Sequence, residues 1–129
     1  MTAITEGKYP GQFLLSESDG LISRDNITLH VAAGIKLNPG RVIGKISGGA
    51  YVAQESSATD GSETAVGVLY GNEADNTDGN AAADFEVVIV NFAAEVRGPD
   101  LSVGSSVGTV VADLATHGVK VRGSIPTGE

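Results

Sequence analysis

The chain has 129 residues, 41% of them hydrophobic, enough for one cooperative core and too few for two ordinary domains. Its formal charge of −8 argues against a phosphate-binding surface, because affinity for nucleic acid comes mainly from Lys and Arg displacing counterions. Cys is absent, which removes disulfides and thiolate metal sites, and no apolar run reaches the roughly 18 residues of a membrane span. Residues Met1 to Lys8 lack the basic-then-apolar order of a signal peptide, so a soluble chain not exported by that route is expected. The 18 Gly are about twice the usual share of roughly 7%, and aromatics are 5%. Such a composition suits short strands of small β-branched residues joined by tight turns.

In chain order, residues 1–23 are polar and glycine-spaced around one apolar patch, Phe13-Leu14-Leu15, and read as an extended N-terminal arm preceding a domain over 24–129. Arg24 to Val31 alternates Ile27, Leu29 and Val31 with Asn26, Thr28 and His30, the period of a half-buried strand. Asn38-Pro39-Gly40 then predicts a type II turn, with Pro39 presetting φ and Gly40 supplying the positive φ at the third position. Val42, Ile43 and Ile46 follow as a strand in which Gly44 marks a bulge or a close backbone approach. Ala50 to Ala53 is the return strand of a hairpin, and Gln54 to Glu63 a polar loop.

Thr64 to Tyr70 is a compact strand, Gly71 to Ala83 a second polar loop, and Phe85 to Phe92 the most hydrophobic run and the expected central strand. Ala93 to Val96 could prolong that strand until Gly98-Pro99-Asp100 stops it. Val107, Val110, Val111 and Leu114 form a helical stripe over 107–117, with Gly118 at the capping position and His117 in the last turn. Val119 to Arg122 reads as a last strand and 123–129 as a tail. The fold class is mostly β, with one short C-terminal helix.

Motifs for chemistry are scarce. Aligning Gly79 or Gly61 to the sixth position of a calcium loop puts Phe85 or Gly67 where a bidentate Glu belongs, so neither register works. His30 and His117 are the only histidines and lie in unrelated elements, which makes a histidine metal site unexpected. Nucleophile elbow, phosphate loop and dinucleotide fingerprint are all missing, and Ser16-Glu17-Ser18-Asp19 has no burial with which to tune a carboxylate. Neither catalysis nor a cofactor is expected.

A set of motifs in order, each weak alone, carries a resemblance. These are Phe13-Leu14-Leu15-Ser16-Glu17, Arg24-Asp25-Asn26-Ile27-Thr28-Leu29, Ala33-Gly34 through Leu37, Gly40 with Val42 to Lys45, Tyr51-Val52, Asp60 through Tyr70, Val88-Ile89-Val90, and Leu114-Ala115 to Gly118-Val119. Together they resemble the lambda-type head decoration proteins of tailed bacteriophages, from about Phe13 to Arg122. The chain departs at Leu101 to Thr109, where such proteins carry a longer, charged helix. The resemblance implies a β-clip-like domain and a homotrimer at local threefold positions outside an expanded head. It further implies the major capsid protein shell as partner, assembly in the host cytoplasm, and neither nucleic acid nor membrane contact. On this reading the arm residues Phe13, Leu14, Leu15, Ser16 and Glu17 meet the capsid, while Pro39, Gly40 and Gly44 are structural. Two other readings are a carrier domain of the biotinyl or lipoyl hammerhead kind, with Lys45 as the modified residue, and a carbohydrate-binding module, for which only Tyr9, Tyr51, Tyr70 and three Phe could form a platform.

Overall fold

A computed structural model describes residues 13–17, 24–70, 73–104 and 106–126. Its centre is a closed barrel of five strands in the order β2 (Arg24–Val31), β5 (Tyr51–Ala53), β4 (Val42–Lys45), β6 (Ala65–Leu69), β8 (Ala83–Val90). β2 and β8 pair antiparallel over eight residues, from Arg24 opposite Val90 to Val31 opposite Ala83. The barrel closes through a single parallel pairing, Leu29 with Tyr51. The expected alternation of β2 holds: Ile27, Leu29 and Val31 are buried, and Asn26, Thr28 and His30 are exposed.

Alternation divides the apolar residues between two cores. Ile43, Leu69 and Ile89 join Ile27, Leu29 and Val31 in the barrel interior. Their chain neighbours Val42, Val68 and Val90 form one cross-strand row on the other face, in a second core with Phe13, Val96, Leu101, Leu114 and Val119. Each such side chain taken out of water contributes roughly 1.5–3 kcal/mol before entropy is counted. Beyond that row the β4–β6 register shifts between Ile43 and Gly44, leaving Val66 as the extra residue of a bulge. Gly44 belongs at that kink: a Cβ there would collide with the Ser62 carbonyl oxygen. The bulge and the close approach read from Gly44 therefore both occur.

Phe85 to Phe92 departs from its expected course. β8 starts earlier, at Ala83, and ends at Val90. Instead of running on, the chain turns at Ala93, which has φ +50°, and re-forms as β9 (Ala94–Arg97) in another sheet. That sheet has the order β1 (Leu14–Glu17), β9, β10 (Val119–Arg122), with β1 antiparallel and β10 parallel to β9. Gly98–Asp100 then forms a 3₁₀ turn, with Pro99 at a position that needs no N–H.

The second polar loop is less open than expected. Ala74–Asp75 is a short strand, β7, paired with β3 (Lys36–Leu37). Beside it the buried Asn76 amide donates to the carbonyls of Val31, Ala32 and Ala81, each at 3.1 Å. Helix α1 covers Val110–Thr116, three residues shorter at its start than the stripe predicts, because Gly108 takes φ +50°. Val110 and Leu114, one turn apart, are its buried residues, and Gly118 closes it at φ +84° with its N–H on the Ala115 carbonyl at 2.9 Å.

Candidate functional site

The segment read as an arm is tied to the domain by one residue above all. Phe13 is 1% exposed and belongs to the second core. Its ring meets Tyr70 edge-on, with centroids 6.5 Å apart and planes at 80°, and the Arg24 guanidinium lies 3.8 Å from the centroid of that Tyr70 ring. The Phe13 carbonyl accepts the Arg97 N–H at 2.7 Å. A ring so enclosed has almost no surface of its own to present. Leu14 is half-buried against the same core, whereas Leu15 is 52% exposed. Ser16 and Glu17 are placed by register opposite Glu95 and Ala94. Residues 1–12 and 18–23, the rest of the predicted arm, lie outside the described residues.

β1 has one strand neighbour among the described residues, so its other edge presents backbone donors and acceptors. Val119 and Val96 are buried on the inner side of this sheet and Val121 packs against the same core. Lys120, Arg122, Glu95 and Arg97 alternate outward. Register sets Lys120 beside Glu95 and Arg122 beside Arg97. Arg122 reaches Glu95 at 2.5 Å and Arg97 reaches Asp100 at 2.9 Å. In the sequence these basic residues form no motif. Val119-Lys120-Val121-Arg122 shows that two point outward, but only the parallel register brings Arg97 beside them.

The predicted turn residues meet one another as read. Arg41 N–H donates to the Asn38 carbonyl at 3.0 Å across Pro39 and Gly40, and Gly40 has φ +94°, which makes the turn type II. Gly40 is also held on both sides, its N–H on the Leu69 carbonyl at 2.8 Å and its carbonyl on the Ser102 N–H at 3.0 Å. The turn thus welds the barrel to the segment after the 3₁₀ turn.

The residues that could support other chemistry are spread or spent. His30 Nδ1 pairs with Asp84 at 2.8 Å on the outside of the barrel, and His117 caps the helix. Among the described residues no three of His, Asp or Glu gather as metal ligands. Asp60 accepts from the Ser62 hydroxyl and N–H, and Asp75 likewise from Thr77, and these bonds hold both carboxyls below their ordinary values. The acidic loops are turns. Lys45 lies within β4 opposite Tyr51, with Nζ 5.1 Å from its ring centroid, and so is not at the tip of a hairpin as a carrier lysine would be. An open apolar groove of about 320 Å³ lies between Val31, Ile35, Leu37 and Val52. Arg41 at its side donates to the Gln54 carbonyl.

A mostly β chain with one short C-terminal helix is what the sequence resemblance implies, and the structure has that composition. The family model for bacteriophage lambda head decoration protein D matches residues 3–124. The chain belongs to that family. Among curated proteins none matches it. As a head decoration protein it is a structural component of the virion capsid with no catalytic role, and it binds the capsid shell. The carrier and carbohydrate readings are thereby set aside.

Proposed function

We propose that this decoration protein coats the outside of the expanded head as a homotrimer and braces the shell against the pressure of packaged DNA. The observation that carries the reading is β1. It is an edge strand among the described residues, anchored at one end by Phe13, with Leu15 turned out to solvent and twelve further residues preceding Phe13. An extended chain can add as a strand to a partner's sheet edge, where backbone hydrogen bonds supply affinity and alternate side chains fix register. Of the five arm residues, Leu15, Ser16 and Glu17 are then the contacts, and Phe13 with Leu14 holds the strand in place. Ordering a chain costs about 1–2 kcal/mol per residue, so a single segment binds weakly and three on one trimer gain by avidity. Subunits of −8 repel one another, so the trimer is held by apolar contact and persists in high salt.

The test is co-sedimentation with expanded, undecorated heads of the phage that encodes the chain. A protein lacking residues 1–12, with Leu15→Asp, is expected to remain folded and trimeric and to leave the heads. Retention at full occupancy would overturn the strand as anchor.

A further inference from the structure

The chain carries 16 acidic and 8 basic residues, and the basic ones are not evenly spread. Three of the eight, Arg97, Lys120 and Arg122, project from the outer face of β9 and β10, all exposed. Two acidic groups answer them, Asp100 paired with Arg97 and Glu95 with Arg122, which leaves a surplus of one positive charge on the outer side of β9 and β10 in a molecule of −8. The opposite arrangement holds on the outside of β2 and β8, where Asp25, Asp84 and Glu86 bond to Asn91, His30 and Thr28.

Stability alone does not ask for this pattern. Arg97 and Arg122 are register partners of like charge in a parallel pair, and each needs a carboxylate of its own, Asp100 and Glu95, to be tolerated there. Charges on an edge strand do guard against unwanted pairing, which accounts for Lys120 and Arg122 on β10. It does not account for Arg97, because β9 is the central strand. The same sheet contains β1, with the exposed Leu15, so the basic face is continuous with the strand edge already described.

We propose that the outer face of this sheet is the docking face, and that Arg97, Lys120 and Arg122 seat on an acidic patch of the major capsid protein. The inference rests on the decoration reading above and adds the chemistry of the partner surface. A chain of −8 meets an acidic shell without repulsion only where its local sign is reversed, and complementary charge fixes register and speeds encounter more than it adds affinity. Attachment to heads therefore weakens as salt rises, whereas the trimer does not.

The experiment measures binding of full-length protein to undecorated heads across a salt series. Lys120→Gln with Arg122→Gln is expected to bind on the order of tenfold more weakly, with a flatter salt dependence. The control pair Lys36→Gln with Lys45→Gln, equal in charge change but on β3 and β4, is expected to match wild type. Lys120→Glu alone leaves the Arg122–Glu95 pair intact and keeps the test valid should loss of that pair lower stability. Wild-type affinity and salt slope in the Lys120 variants would overturn the docking face while leaving the decoration reading standing. Failure of the wild type to bind heads at any salt would overturn both. Variants that sediment as monomers would assign the face to contacts between copies, and variants that aggregate yet bind normally would assign it to edge protection; either result overturns the proposal.

Discussion

Gly40 and Asp100 meet backbone to backbone: a Cβ added at Gly40 would stand 2.5 Å from the Asp100 carbonyl oxygen. No rotamer relieves that contact, because the backbone fixes where Cβ stands and the oxygen it meets is main chain. Gly40 also holds φ +94°, a region that costs side-chain-bearing residues on the order of 1–3 kcal/mol. Gly34 has φ +78° but open space around it. Gly40→Ala is therefore expected to destabilise more than Gly34→Ala, and Gly40→Val more again, with a fall in melting temperature on the order of 10 °C. Equal midpoints for the two alanine variants would show that the approach to Asp100 carries no weight.

Phe13 and Leu15 separate stability from attachment. Phe13→Ala empties a site in the second core and is expected to cost about 3–5 kcal/mol, whereas Leu15→Asp, at an exposed position, is expected to stay within about 0.5 kcal/mol. Chemical denaturation of the two variants checks this. A large loss from Leu15→Asp would mean that its side chain packs on its own domain.

Much of this was legible in the sequence, and the division is physical. The Asn38-Pro39-Gly40 turn, the alternation of β2, the glycine cap at Gly118 and the strand Val119–Arg122 are set by neighbouring residues, and each occurs where read. Partners were not legible. Nothing near Phe13 says that its ring will close a core built from Val96, Leu101 and Leu114, about ninety residues away. The turn at Ala93 was hidden because an alanine gives no sign of a positive φ. The helix began late because the apolar stripe ran through Gly108, whose conformation outweighed the pattern. The apolar patch 13–15 marked a strand but could not say which of its side chains faced inward.

Asp113 fastens the helix to the barrel. Its carboxylate accepts the Ala65 N–H at 3.1 Å and the Thr109 hydroxyl at 2.9 Å, and Ala65 is fully buried. Asp113→Ala leaves that amide without its acceptor and is expected to cost about 1–3 kcal/mol, while Asp113→Asn keeps an oxygen in place and costs less. Thermal melting of both variants decides the order; equal losses would point to charge rather than to the hydrogen bond.

Acid should loosen the two acidic turns. Hydrogen bonds from Ser62 and Thr77 depress the carboxyls of Asp60 and Asp75, so the folded state holds its protons less readily than the unfolded chain. Their contribution is complete above the ordinary aspartate value of about 3.9 and is lost as pH falls through the lowered folded values. Stability measured against pH is expected to be level near neutrality and to decline below about pH 4. Asp60→Asn with Asp75→Asn should flatten that decline, and an unchanged slope would place the acid sensitivity elsewhere.

The most direct test of the account is electron microscopy of expanded, undecorated heads incubated with the purified protein. Trimeric knobs at the local threefold positions of the outer surface, with the β1-β9-β10 sheet facing the shell, are the result the account predicts. Heads that remain bare at saturating protein, or density confined to the inner surface, would contradict it.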